Sequence, residues 1–525
     1  MRRLIALCLV SLVLSGCAAP TGAPTAADGD WQFPDDPPSD RIGWENGYWH
    51  NESIDVDQSD GLSDAELEAY VARSMARVEH LRDREFKESV PVEVISREAY
   101  RQQSADSSQR DDSFEAWNNQ VWEALFITGE QQNVQSELGS TFGAAVAGFY
   151  SPSDDEIKIV TDSPDRPVID NATLHHELVH AMQDQYHNLA SNTYRAESQD
   201  GDLAVSGVVE GEANYIEYLY LEKCGGEWEC VETPRSGGGG GGGNLNLGIY
   251  LVIFQPYSDG PVFVHDLYQE GGWDAVEERF ENPPVSSEQV IHRTGEEPVP
   301  IEYTDRARNG WSLFDEGLDG SDTVGEASLY AMFWYQDREG TEGFEGFDWR
   351  EVGQTEGEYD QLNYDSTATA GWANDRVFPY AKGEGDDAEY GYVWELEWDT
   401  ERDATQFRET YLAMLRANGA TEQGENVYVV PEGAFADAFR VTQDGTRITV
   451  VNAPTVDDLG DVRPTSAQAD GSGASDASGD DGGDSATAGD GDDSTDAQSP
   501  GFGLFAGLVA LVVSLAVAAG VGRRD

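Results

Sequence analysis

The chain has 525 residues, 39% hydrophobic and 10% aromatic, enough to bury one large core or two ordinary ones. Its 100 acidic residues against 32 basic ones give a net charge of -68, and only four lysines are present, Lys87, Lys158, Lys223 and Lys382. Such a balance repels nucleic acid and anionic lipid, which excludes nucleic acid as a partner, and it suits a surface hydrated in concentrated salt, where screening removes most of the self-repulsion.

The N-terminus, "MRRLIALCLVSLVLSGC", sets Arg2 and Arg3 before an apolar run and ends on Cys17, the pattern of an export signal rather than of a folded element. Within it "LSGC" resembles a lipobox, so residues 1–17 read as a signal peptide and Cys17 as the lipidated residue. Residues 18–40, rich in Pro, Gly, Thr and Asp, read as a linker. In the body, residues 64–84 place Leu67, Tyr70, Val71, Met75, Val78 and Leu81 at helical period. "VPVEVI" alternates like a strand, residues 114–126 read as a further helix, and "AAVAGFYSPSDDEIKIV" reads as two strands about a turn at 151–155.

Four of the eight histidines fall in "TLHHELVHAMQDQYHN". His176 and His180 stand at i and i+4, so on a helix they share one face, and Glu177 projects beside them, where it can reach a metal-bound water without ligating. This is the HExxH zinc spacing. Asp170 or Asn171 reads as the N-cap, Leu174, Leu178, Ala181 and Met182 supply an apolar stripe, and no Gly or Pro interrupts 172–186. His175 lies about 100° round the helix from His176 and cannot share its metal. With His187 it reads as a flanking residue, while Asp184 fits either an acceptor behind the ligands or a cap. A catalytic zinc takes three protein ligands and keeps the fourth position for water, so a carboxylate is expected downstream. Residues 203–223, "LAVSGVVEGEANYIEYLYLEK", form a second helix in which Glu210, Asn214 and Glu217 share a face and Glu212 points into an apolar stripe. Periodicity leaves Glu210 and Glu212 both open as the third ligand.

Cys224 and Cys230 are expected to close a small disulfide loop in an oxidising exterior. The glycine run 237–243 reads as a flexible loop, and residues 249–268 are apolar. Hydrolysis also needs an oxyanion partner, for which His292 in "SSEQVIHR" leads His265 and Tyr250. Residues 371–451 read as strand, strand, helix (404–418), strand, strand. Residues 455–499 are almost entirely Asp, Gly, Ser, Ala and Thr and read as an extended, self-repelling spacer. The chain ends on "PGFGLFAGLVALVVSLAVAAGVGRRD", an uncharged run long enough to cross a bilayer, closed by Arg523 and Arg524.

Pro500, Gly501 and Phe502, with the hydrophobic stretch and basic end, resemble the archaeal PGF-CTERM sorting signal, which implies cleavage near the motif and transfer to a membrane lipid. The alternative is an uncleaved transmembrane helix; either leaves the body outside on a tether. "EGEANYIEYL" resembles the "EGFA" helix of gluzincin metallopeptidases of the aminopeptidase-N type. That resemblance implies His176, His180 and Glu210 as zinc ligands and Glu177 as the catalytic base. Three departures stand beside it. The gap from His180 to Glu210 is longer than the gluzincin norm, and Asn214 stands where some members place a ligand-orienting aspartate. The "GAMEN" segment that anchors a substrate's amino terminus is absent, with "GAAVAGFY" in the corresponding region, which points to an endopeptidase. As a whole the chain resembles haloarchaeal surface lipoproteins.

The expectation is an α+β protein: a zincin-like core at 41–310 with the HExxH helix beneath a small sheet, a C-terminal α+β subdomain at 311–454, the acidic spacer 455–499 and the anchor 500–525. Its expected function is zinc-dependent hydrolysis of protein or peptide substrates at the outer face of the membrane. The alternative is a non-catalytic envelope lipoprotein that retains the fold; the complete ligand set with Glu177 favours the enzyme.

Overall fold

The structure is a computed structural model and describes residues 36–107, 111–234, 245–339, 343–355 and 357–465. Cys17, the glycine run, and the Pro500, Gly501 and Phe502 motif with its anchor lie outside the described residues. No helix among the described residues is long and apolar enough to cross a membrane.

A short ladder of β1 (Trp44–Glu45) and β2 (Tyr48–Trp49) precedes α1 (Asp64–Arg82). That helix starts at a capping box in which Ser63 and Glu66 each satisfy the other's backbone N–H. Next come β3 (Val92–Ser96), α2 (Arg97–Ser107), α3 (Asp112–Ala124) and α4 (Val134–Ala145). The expected strand pair is β4 (Gly148–Ser151) and β5 (Glu156–Thr161). They form a three-stranded sheet in the order β3-β5-β4, with β5 parallel to β3 and antiparallel to β4, so that β3 and β4 are its edges among the described residues. Against this sheet lies α5 (Asn171–His187), the histidine-rich helix. Asp170 is its N-cap, accepting from the Ala172 and Thr173 N–H groups at 3.0 and 3.3 Å. Leu174, Leu178, Ala181 and Met182 join Met75 and Val78 of α1 and Ile157 and Ile159 of β5 in one buried cluster, so the apolar stripe fixes which face of α5 packs against α1 and the sheet.

The next helices, α6 (Gln199–Lys223) and α7 (Leu247–Gly271), cross with their backbones in contact. A Cβ on Gly211 would stand 2.5 Å from the Gly260 carbonyl oxygen, and one on Gly260 would stand 2.6 Å from that of Gly207. No other residue fits there, and the glycine in "EGEA" is therefore a packing requirement. Through α7 run Pro256 and Pro261, each lacking a helix N–H and leaving a carbonyl one turn back without its usual partner. The Cys224–Cys230 disulfide closes just beyond α6, with α-carbons 5.5 Å apart. α8 (Trp273–Glu281) and α9 (Ser287–His292) complete this half.

The remainder comprises β6 (Trp311–Leu313), α10 (Gly325–Arg338), β7 (Trp372–Lys382), β8 (Glu389–Trp398), α11 (Glu401–Ala417), β9 (Thr421–Gly424), β10 (Val427–Val429), β11 (Ala438–Asp444), β12 (Arg447–Ala453) and α12 (Leu459–Val462). Its sheet has seven strands in the order β6-β7-β8-β12-β11-β10-β9. Alternation along the strands sends Val377, Trp394 and Val450 to the face holding Phe407 and Tyr411 of α11, and Phe378, Val393 and Val451 to the face covered by Leu459 and Val462. The strand, strand, helix, strand, strand order is as read from the sequence, with β6, β9 and β10 added at the edges. The expected boundary after residue 310 does not divide the core: one buried cluster runs from Trp117 and Val121 on α3 through Ile249 on α7 and Phe333 on α10 to Trp394 and Val450. The fold is α+β.

Candidate metal centre

One turn apart on α5, His176 and His180 bring their Nε2 atoms to 3.0 Å from each other. Glu210 Oε2, from α6, lies 3.2 Å from the first and 3.3 Å from the second. Donors at roughly 2.0–2.2 Å from a tetrahedral zinc stand roughly 3.3–3.6 Å apart, so these atoms frame a space of about that size. Two imidazoles and one carboxylate are also the donor chemistry of a catalytic zinc, and the residues therefore fit the ion. All three are buried, at 1%, 6% and 7% exposure.

The far sides of the imidazoles are held as well. Gln183 Oε1 accepts from His180 Nδ1 at 2.9 Å, which leaves the Nε2 lone pair facing the centre. Glu217 Oε2 stands 3.4 Å from His176 Nδ1, an ion-pair distance. Burial works against charge on His176, yet the contacts with Glu210 and Glu217 and the charges of Glu210 and Glu177 push its imidazole pKa up to about 10. Burial likewise opposes the Glu210 anion, and His180 and His176 outweigh it, holding the carboxyl at about 2. An anion thus faces two imidazoles in a dry space, where its pull on a cation is strongest.

Long-range partners separate the two glutamates that periodicity left open. Glu212 turns to the other side of α6, where its Oε1 accepts from Arg82 Nε at 2.5 Å and its Oε2 from Gln183 Nε2 at 2.9 Å. Arg82 also pairs with Glu277 and lies 4.4 Å over the Trp273 ring. Glu210 is therefore the carboxylate of the cluster and Glu212 a buried ion-pair partner.

Glu177 is fully buried, and its Oε2 accepts the Tyr150 N–H at 2.8 Å, from edge strand β4. The Tyr150 hydroxyl donates to Asp184 Oδ2 at 2.9 Å, and Asp184 Oδ1 accepts from the Leu189 N–H at 2.6 Å. Asp184 thus ties the edge strand to the end of α5 and is not a partner of His180. Tyr257 of α7 completes the surroundings, its ring stacked on His176 with centroids 6.4 Å apart. Burial, then the charges of Glu210 and Glu177, push its phenol well above the usual tyrosine range, and its hydroxyl bonds Glu210.

The expectation for His292 is corrected. Its Nε2 meets the buried Glu326 at 2.9 Å, between α9 and α10, because a buried carboxylate there needs a partner. His265 meets the Tyr215 hydroxyl at 3.2 Å, and Tyr250 stacks on Phe254. The aromatic group beside the triad is Tyr257, whose only local signal is its place between two prolines in an apolar run. His175 and His187 are flanking residues as expected: His175 Nδ1 bonds the Asn171 carbonyl at 2.8 Å, and His187 stacks on Phe280. Asn214 donates to the Glu210 backbone carbonyl at 3.0 Å and orients no histidine. Gln183, unnoticed in the sequence, does so instead.

A family model described as a domain of unknown function (DUF8575) matches residues 313–463, which span the C-terminal sheet with α10, α11 and α12 and none of the metal-centre residues. No curated protein and no solved structure matches the chain.

Proposed function

We propose that the protein is a membrane-anchored, outward-facing zinc metallopeptidase with a zincin-like core built from α5, α6 and the three-stranded sheet. The observation that carries this reading is the convergence of His176, His180 and Glu210 with Glu177 held beside them by the edge strand. A bound zinc supplies Lewis acidity and lowers the pKa of its water. Glu177, with one oxygen fixed by the Tyr150 N–H, would serve as the general base, accepting a proton from an attacking water and returning it to the leaving nitrogen. Tyr257, kept protonated by its burial and stacked on His176, would be the donor to the developing oxyanion, in the role the sequence reading gave to His292. Strand β4 is paired on one side only, and its outer edge is a template for an extended peptide. With no amino-terminal anchor segment, that geometry favours cleavage inside a chain. The export signal, Cys17 and the Pro500-Gly501-Phe502 motif support an outward position on a lipid anchor, and the acidic surface supports work in salt.

The test is cleavage of casein by the full chain in molar salt, before and after chelation and on return of zinc. The expected result is chelator-sensitive cleavage lost in Glu177→Gln; cleavage that survives both treatments sinks the reading. A second reading, a non-catalytic surface lipoprotein with a structural zinc, draws on the low exposure of the triad, since structural sites are closed. Bound zinc with no cleavage of casein or other unfolded proteins would favour it.

A further inference from the structure

Helix α1 packs on both metal-bearing helices and buries two arginines one turn apart. Arg73 and Arg77 are 1% and 0% exposed, and among the described residues neither forms an ion pair with a carboxylate. Arg77 gives its donors to backbone: Nε to the His50 carbonyl at 2.9 Å and Nη2 to the Glu229 carbonyl at 2.7 Å, with the guanidinium 4.8 Å over the Trp228 ring. Arg73 reaches the Glu52 and Glu229 carbonyls, at 3.5 and 3.2 Å, through Nη1 alone. Its Nε and Nη2 are buried and have no hydrogen-bond partner. Those two atoms form one edge of the guanidinium, the edge whose parallel N–H bonds grip an anion side-on.

The groups around Arg73 supply no matching negative charge at contact. Glu52 and Glu229 act on it only from beyond ion-pair distance, and the Tyr70 and Tyr220 hydroxyls donate to Asn171 Oδ1 at 2.5 and 3.0 Å. His175 lies within reach of both positive charges, but burial and then Arg77 hold its pKa well below the ordinary range, so it stays neutral. Its Nδ1 bonds the Asn171 carbonyl, and its buried Nε2 has no partner. Burial and then the charge of Arg73 hold the Arg77 guanidinium down at about 10. A water beside Arg73 would satisfy its hydrogen bonds and leave both charges uncompensated, which at this depth is costly; one anion removes that cost.

We propose that the Nε–Nη2 edge of Arg73, backed by the charge of Arg77, binds one small monovalent anion of the halide type, chloride, which fastens α1 to the disulfide loop at 224–230. Two donors on one edge match a single-atom anion, whereas an oxyanion would bring further oxygens that each need a donor in a dry place. The fields of Glu52 and Glu229 already oppose the two guanidiniums in part, so one negative charge suits the site better than two. A chain of net charge -68 repels anions from its surface, and holding one therefore takes a built, buried site such as this. The site shares no residue with the zinc triad, so it stands or falls apart from the peptidase reading.

The experiment has two arms, both on the full chain. In the first, thermal unfolding is followed in molar potassium chloride and in potassium gluconate at the same K⁺ concentration, for the wild type and for Arg73→Met, which keeps an apolar stem and carries no charge. The wild type should unfold at a higher temperature in chloride, by an increment that grows with chloride as one site fills, and Arg73→Met should lose that increment. In the second, wild-type crystals soaked in bromide should show an anomalous scattering peak against Arg73 Nε and Nη2; this arm decides the matter if the variant does not fold. No peak at that edge, no chloride increment in the wild type, or an increment that Arg73→Met retains would overturn the proposal.

Discussion

Two of the sites at which carboxylates are buried in this molecule differ in the neighbours that meet them. Between α5 and α6, Glu210 faces two imidazole nitrogens; at the seam of α3 and β11, Glu123, Glu130 and Asp437 face one another and an amide. The first set presents nitrogen and oxygen, the donor chemistry of zinc sites; the second presents oxygen alone. Burial of a carboxylate is common to both, so the donor set, and not depth, separates the two chemistries. The same lesson recurs on α6 alone, where Glu210 and Glu212 are both buried and the groups they meet set them apart.

The comparison is broken most sharply at Glu177. Glu177→Gln should lower peptide cleavage by roughly 10²–10⁴-fold while zinc content stays the same, read from casein digestion and metal analysis. Glu210 and Glu212 should then part company. Glu210→Ala should lose zinc, whereas Glu212→Ala should keep it yet cost roughly 1–3 kcal/mol in denaturant unfolding, because buried Arg82 loses one of its two carboxylate partners and keeps only Glu277; equal zinc loss in both would erase the distinction. Gln183→Leu and Glu217→Gln should each weaken zinc binding by roughly 10–100-fold, measured by competition with a chromophoric chelator, since they hold the ligand rings and not the ion. Gly211→Ala should cost roughly 1–3 kcal/mol by forcing α6 from the Gly260 carbonyl, seen in the unfolding midpoint.

The smallest effect is expected at Glu277, which continues the Arg82 ion pairs away from the triad. Burial raises its carboxyl, but His187, Arg84 and Arg82 outweigh that and hold it at about 2, below its ordinary 4.5. A carboxyl held down in the folded state adds stability that is fully present above pH 4.5 and is lost as pH falls toward 2. Thermal unfolding against pH should therefore show a shallower acid limb for Glu277→Gln, and an unchanged limb would remove Glu277 from the account.

What was legible in the sequence follows from how local each signal is. The HExxH helix, its Asp170 cap and its apolar stripe are fixed within a few turns, and the strands of the C-terminal sheet announce themselves by alternation. Glu210 was inseparable from Glu212 by periodicity because both sides of α6 are buried, and the residue that claims Glu212 is Arg82, far back in the chain. Tyr257 has no local signal because its role exists only once α6 and α7 cross at Gly211 and Gly260, whereas Gln183 meets His180 three residues back on α5, a contact that helical spacing alone could have shown. His292 drew attention as a histidine near the right stretch, but its partner Glu326 lies on another helix. The shared core of the two halves was equally hidden, since Trp117, Ile249, Phe333 and Trp394 meet only in three dimensions.

The most direct test of the centre is the zinc bound per chain, measured for the wild type and for Glu210→Ala at matched free zinc in high salt. A centre of His176, His180 and Glu210 requires one zinc per wild-type chain and a marked loss in the variant. No bound zinc, or equal zinc in both, would contradict it.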